Sequence, residues 1–109
     1  MDGTEADKDL LQPIVDIDRT IHAPARLMIL AFISVVESAD FTFLMNQTGL
    51  TRGNLSSHLS KLEEAGYVSV QKEFVERIPR TLIRLTGDGR EAIETYRENM
   101  RQVVEKLLS

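Results

Sequence analysis

The sequence predicts a mainly α-helical fold: a helix-turn-helix followed by a small β-hairpin, with additional helices at the N- and C-terminal sides. Three observations carry this expectation. Two short helical segments, one capped by Thr42 and closed by Gly49 and one over residues 52–65, are separated by a turn of about three residues from Gly49 to Thr51, the spacing of a helix-turn-helix. Residues 67–71 and 80–85 alternate or cluster β-favouring side chains, as the arms of a hairpin do. From Thr86 onward a long apolar stripe recurs at helical spacing to the end of the 109 residues.

The elements follow from local punctuation. Leu10, Leu11, Ile14, Val15 and Ile17 recur at helical spacing and predict a short first helix, with Pro13 tolerated in its first turn. Pro24 suits the start of a second helix, and the run from Leu27 to Val36 is apolar on most sides, which marks a core element. Asp40 and Phe41 read as a brief extended link. Thr42 is the expected cap of a short helix that ends at Gly49, a residue suited to the left-handed position after a helix. Thr51 caps the next helix, which closes at Gly66 with Tyr67 folding back on Leu62. The hairpin is expected to have a broad loop over residues 74–79. Thr86 caps the last helix, with Asp88 in its first turn where a negative charge suits the helix dipole.

Composition narrows the function classes. The hydrophobic content of 42% is that of an ordinary globular chain. The most apolar stretch, Leu27 to Val36, is too short to span a bilayer, so no membrane role and a cytoplasmic location are expected. With no cysteine there is no disulfide, thiolate metal site or cysteine nucleophile, and the two histidines, His22 and His58, lie far apart. No catalytic pair, phosphate-binding glycine loop or metal ligand set is visible, so neither an enzyme nor a cofactor is expected. The formal charge of −4 is unevenly placed. Residues 1–18 carry six acidic groups against Lys8, whereas residues 41–84 carry six basic groups against four acidic ones. The acid sits at the start and the middle is mildly basic, which permits a nucleic-acid partner.

The middle helix carries the functional signal. At about 100° per residue, Leu55, Leu59 and Leu62 fall together and face the core. Gly53, Asn54, Ser57, Ser60, Lys61 and Glu64 fall on the opposite half, with Ser56 and His58 on the flanks. A helix entering the major groove must bring its backbone near base edges while offering donors and acceptors there, and small side chains permit that approach. Gly53 lowers helix stability by about 1 kcal/mol relative to alanine and is easier to understand where another surface comes close. Arg52 and Asn54 have the donor geometry to read guanine and adenine; Thr51, Ser56 and Lys61 suit phosphate contacts. The competing reading of such a face is plain solvation. In the hairpin, Lys72, Arg77, Arg80 and Arg84 surround a loop able to lie along the minor groove or flanking backbone; the competing reading is a charged edge strand that resists aggregation.

The run from Leu50 to Val68, which contains Thr51-Arg52-Gly53-Asn54-Leu55-Ser56-Ser57-His58-Leu59-Ser60-Lys61-Leu62, resembles the recognition helix of winged-helix transcriptional regulators of the MarR and ArsR kind. Three further segments resemble the same family in the same order: residues 22–27, 40–44 and 85–90. The resemblance covers roughly residues 20 to 100. It implies a winged helix-turn-helix fold and a homodimer on double-stranded DNA, with recognition helices in successive major grooves and wings on the flanks. Carried over by position, it points to Arg52, Asn54, Ser56, Ser57, Ser60 and Lys61 for the groove and to Arg77 and Arg80 for the wing. It also allows a small-molecule effector between the long helices and the DNA-binding core. Metal and oxidant sensing are not implied, because the cysteine and histidine clusters they need are absent.

The expected organisation is an acidic N-terminal lead and short helix over residues 1–19, a winged helix-turn-helix over 20–90, and a C-terminal dimerisation helix over 86–109. The stripe of Tyr96, Met100, Val103, Val104 and Leu107 outruns the core that so small a domain can offer, so a partner helix is the expected cover, with Ile14 and Ile17 of the first helix joining the same bundle. Packing back on the first helix of the same chain is the alternative. The alternative function is a protein-interaction module of the same fold without specific DNA binding.

Overall fold

The computed structural model describes residues 10–108. The acidic lead up to residue 9 lies outside the described residues. The chain opens with helical residues 10–15 (α1), then α2 (Pro24–Val36), β1 (Ser38–Asp40), α3 (Phe41–Thr48), α4 (Arg52–Glu64), β2 (Val68–Val75), β3 (Ile78–Leu85) and α5 (Gly87–Leu108). Helices α2, α3 and α4 close round a core of Ile21, Ile29, Leu30, Ile33, Leu44, Leu55, Leu59 and Leu62, which Val68 and Ile83 of the sheet and Tyr96 of α5 complete. Among the described residues no helix is long and apolar enough to cross a membrane.

The helix ends show why the elements stop where they do. Pro24 stands in the first turn of α2, where its missing N–H removes no helical bond. Helix α4 begins at Thr51, whose hydroxyl accepts from the Asn54 N–H at 3.2 Å. It ends in a Schellman motif: Gly66 takes φ +83, its N–H bonds the Glu63 carbonyl and the Tyr67 N–H bonds the Leu62 carbonyl. Gly49 takes the left-handed position after α3 as expected, with φ +73. Thr86 caps α5 by accepting from the Gly89 N–H at 2.9 Å, and its own O–H bonds the Gly66 carbonyl at 2.6 Å. The end of α4 and the start of α5 are therefore tied to one another.

Three expectations are corrected. The link before α3 is a strand: Ser38–Asp40 pairs antiparallel with Arg84, Ile83 and Leu82, making a three-stranded sheet in the order β1-β3-β2. The cap of α3 is Asp40, not Thr42, because the Asp40 carboxylate accepts from the Phe43 N–H at 2.7 Å and α3 already begins at Phe41. The hairpin loop is two residues, not six. β2 and β3 pair from Val68↔Leu85 to Val75↔Ile78, and Glu76 and Arg77 turn the chain with φ +53 and +68, the left-handed pair of a type I′ turn. Pro79 fits within β3 because it stands opposite Phe74, one step beyond the hydrogen-bonded pair that closes a two-residue turn, so its missing N–H removes no bond to β2. β1 pairs only with residues 82–84, so Pro79 faces no neighbour on that edge either.

Candidate nucleic-acid interface

The outer face of α4 is built from the inside out. Leu55, Leu59 and Leu62 are buried in the core, which fixes the rotation of α4. Gly53, Asn54, Ser57, Ser60 and Lys61 are consequently exposed on its other side, with Ser56 exposed on the flank and Arg52 exposed at the helix start. Thr51 is exposed as well, but its hydroxyl is already engaged as the helix cap. The Arg52 guanidinium carbon lies 5.3 Å from the centroid of the Phe41 ring, a cation–π contact that joins α4 to α3 and directs a long side chain along the helix start.

Across from this face stands the hairpin, and between them runs an open groove of about 670 Å³. Arg52, Ser56 and Ser60 line one wall, Lys72, Arg80 and Thr81 the other. Asp40 and Glu63 also line the groove, so both signs of charge border it. Arg77 is exposed at the turn itself, while Arg80 stands directly opposite Glu73 in the ladder. Arg84 lies deeper in β3, flanked by Ser38 and Ser69, away from the turn.

Contacts that the sequence did not disclose hold α4 and α5 against the rest. Arg26 of α2 donates through Nε to the Thr20 carbonyl at 2.5 Å and through a terminal nitrogen to His58 Nδ1 at 3.1 Å. Burial, then the charges of Arg26 and Lys61, hold the His58 imidazole below its ordinary 6.5. His58 is thus neutral at neutral pH and acts as an acceptor that anchors the inner flank of α4. On α5, the Tyr96 hydroxyl meets His22 Nδ1 at 2.8 Å.

Asp18 is a second hub. One carboxylate oxygen accepts from the Thr20 and Ile21 N–H groups, and the other accepts from the Tyr67 hydroxyl at 2.5 Å. That bond, with burial second, pushes the Tyr67 phenol up to about 12. Folding raises this pKa, so the associated stability is complete below the ordinary value of 10.0 and is lost as pH rises through about 12. With Tyr96 replaced by phenylalanine, Tyr67 is the remaining tyrosine of the two. Its phenolate absorbance should titrate near pH 12, and Asp18→Asn should bring it back toward the ordinary value. A midpoint near 10.0 with Asp18 intact would show that the bond is not kept in solution.

The residues expected at a dimer contact divide into two sets. Tyr96 and Val103 are buried within the chain's own fold, and Ile17 and Met100 pack partly against its core. Ile14, Val104 and Leu107 stay exposed, at 46%, 47% and 78%. α5 leans on the segment after α1, where the Asn99 amide donates to the Asp16 carbonyl at 3.2 Å. Its solvent side carries Arg97 paired with Glu94, and Arg101 paired with Glu98 and Glu105. Such exposed pairs contribute little stability, but they mark which side of the helix is made for water. A cleft of about 530 Å³ lies where α5 meets the end of α4, lined by Asp16, Asp18, Tyr67, Asp88, Glu91 and Tyr96 among others.

The family model described as winged helix DNA-binding domain matches residues 25–104. An uncharacterized protein of Methanocaldococcus jannaschii is 36% identical over 78 residues, which are 72% of this chain and 85% of that protein. A solved transcriptional regulator homologue from Pyrococcus horikoshii is similar at 30% identity with a TM-score of 0.81, covering 91% of this chain and 97% of that one. The regulator MosR of M. tuberculosis, solved in complex with DNA, shares the fold at 23% identity and a TM-score of 0.63, over 94% of this chain and 69% of that one. A solved MarR-family regulator shares the fold too.

Proposed function

The chain belongs to the winged helix DNA-binding domain family, and from that premise we propose that it is a transcriptional regulator which binds duplex DNA sequence-specifically as a homodimer. In this reading α4 lies in the major groove, Arg52 and Asn54 reach base edges, and Ser56, Ser57, Ser60 and Lys61 approach bases or phosphates. The wing, with Lys72, Arg77 and Arg80, follows the flanking backbone. The observation that carries the reading is the pairing of a small, hydrogen-bonding, wholly exposed face of α4 with a groove whose cations stand on both walls. The chain's charge of −4 is no obstacle, because DNA senses the local field within a Debye length of about 10 Å at 0.1 M salt. Exposed Ile14, Val104 and Leu107 supply the apolar cover for a second copy. The effector implied by the resemblance would work by altering how α5 sits on the helix pair. The role is one of binding, not catalysis.

The test is a mobility shift on duplexes selected by the full chain from a random pool. Arg52→Ala should weaken binding by about 1–3 kcal/mol and relax the preference at one base pair. Lys61→Ala should weaken selected and random duplexes alike and reduce the salt slope by about 0.9 for each phosphate it no longer neutralises. Equal affinity of the unaltered protein for selected and random duplex at matched salt would sink the proposal. Protection of two half-sites about 34 Å apart is the expected mark of the homodimer.

A further inference from the structure

Resting on that DNA-binding reading, we propose that the tip of the wing is an apolar wedge that enters the minor groove of the bound duplex and unstacks a base step. The tip is not what a phosphate-binding wing requires. Around the turn stand Phe74, Val75, Ile78 and Pro79, with Arg77 the single cation and Glu76 beside it. Phe74 is 75% exposed and Ile78 59%. Side chains alternate across a strand, so Phe74 and Pro79, which face each other in the ladder, share one side of the ribbon, and Val75 and Ile78 share the other. An apolar sheet face meant to be covered by a flat partner is apolar on one side. This tip is apolar on both sides, the pattern of a blade held between two walls.

Its position supplies the walls. If the groove between α4 and the hairpin holds one phosphate strand, that strand separates the major groove on the α4 side from the minor groove on the hairpin side. The minor groove is about 6 Å wide. Two strands about 4.8 Å apart, carrying Phe74 and Ile78 outward, fit only if the groove opens. Opening the minor groove with apolar side chains unstacks a step and bends the duplex toward the major groove. The type I′ turn at Glu76 and Arg77 keeps the tip narrow, with two residues at its apex.

The experiment uses the full chain and the selected duplexes, with 2-aminopurine placed in turn at each step flanking the major-groove site, and a bend measured by end-to-end energy transfer. Binding should raise 2-aminopurine emission at one step and shorten the end-to-end distance. Phe74→Ser and Ile78→Ser should abolish both signals and weaken binding roughly tenfold, as removal of base stacking does. Both variants should keep the salt slope, whereas Arg77→Ala should reduce it. Because Phe74 and Ile78 are exposed, both variants should melt like the unaltered protein; a large drop would place their role within the hairpin and overturn the wedge. Bound duplex with no emission change, or Phe74→Ser keeping the full signal, overturns it as well. Loss of self-association in Phe74→Ser, with DNA signals intact, would assign the tip to a second copy instead. Failure of the unaltered chain to select any duplex would instead refute DNA recognition itself, and the wedge with it.

Discussion

Gly89→Ala should lower the melting temperature by more than about 10 °C, the largest stability effect expected from adding a single methyl group to this protein. Gly89 is buried in the first turn of α5. A Cβ there would overlap the Tyr67 carbonyl oxygen and lie 2.9 Å from both the Tyr67 carbonyl carbon and Leu85 Cδ1. The leucine methyl can rotate away; the carbonyl cannot. It accepts the Thr86 N–H at 3.1 Å, and Thr86 also bonds the Gly66 carbonyl and caps Gly89. The methyl group must therefore push α5 off the end of α4 or break that junction. Overpacking on this scale lies at the top of the usual range, about 3 kcal/mol, and 1 kcal/mol moves the melting temperature of a domain this size by about 4–8 °C. Gly53→Ala is the control, because a Cβ at Gly53 meets nothing within 4 Å. There the methyl group should raise stability by up to about 1 kcal/mol. Similar melting curves for the two variants would show that α5 does not pack on Tyr67 as described.

Gly89 also illustrates where the sequence stops being legible. Thr86, Gly87, Asp88 and Gly89 announce a helix start, and the cap is where it was expected, but nothing local says that one of the two glycines touches a carbonyl twenty-two positions earlier. The same division recurs along the chain. The rotation of α4 follows from three leucines at helical spacing, and the ends of α3 and α4 follow from Gly49 and Gly66, because these signals act within one turn of helix. The wing's turn was hidden because Glu76 and Arg77 adopt left-handed conformations without the Asn-Gly or Asp-Gly signature, while Pro79 reads as a loop residue until its ladder partner is known. β1 was hidden because three residues become a strand only through pairing with β3. Arg26 with His58, and Asp18 with Tyr67, join residues 32 and 49 positions apart, and no periodicity encodes such pairs. For the interface, the exposed side of α4 was legible from its buried side; the groove facing it depended on where the hairpin folds.

Ser57→Glu should abolish DNA binding while leaving the fold untouched, and this is the largest functional effect expected from a surface substitution. Ser57 is two positions beyond Leu55, about 200° round the helix, and so stands close to the middle of the exposed face. Nothing in the core senses it, and glutamate is a better helix former than serine, so the melting temperature should not fall. Facing a duplex, the new carboxylate would be placed among phosphates with little water between them. Like-charge contacts of this kind cost several kcal/mol, and a homodimer would carry two of them, so affinity should fall by roughly a thousandfold or more. Ser57→Gln has nearly the same bulk without the charge and separates the two causes. If charge dominates, glutamine should bind far better than glutamate, and the gap between them should narrow as salt screens the repulsion. If close approach dominates, both should fail alike, which would mean that the serines and Gly53 serve to bring the helix backbone down to the base edges. Ser57→Glu binding as tightly as the unaltered protein would leave neither explanation standing, because it would mean that the outer face of α4 does not meet DNA at all.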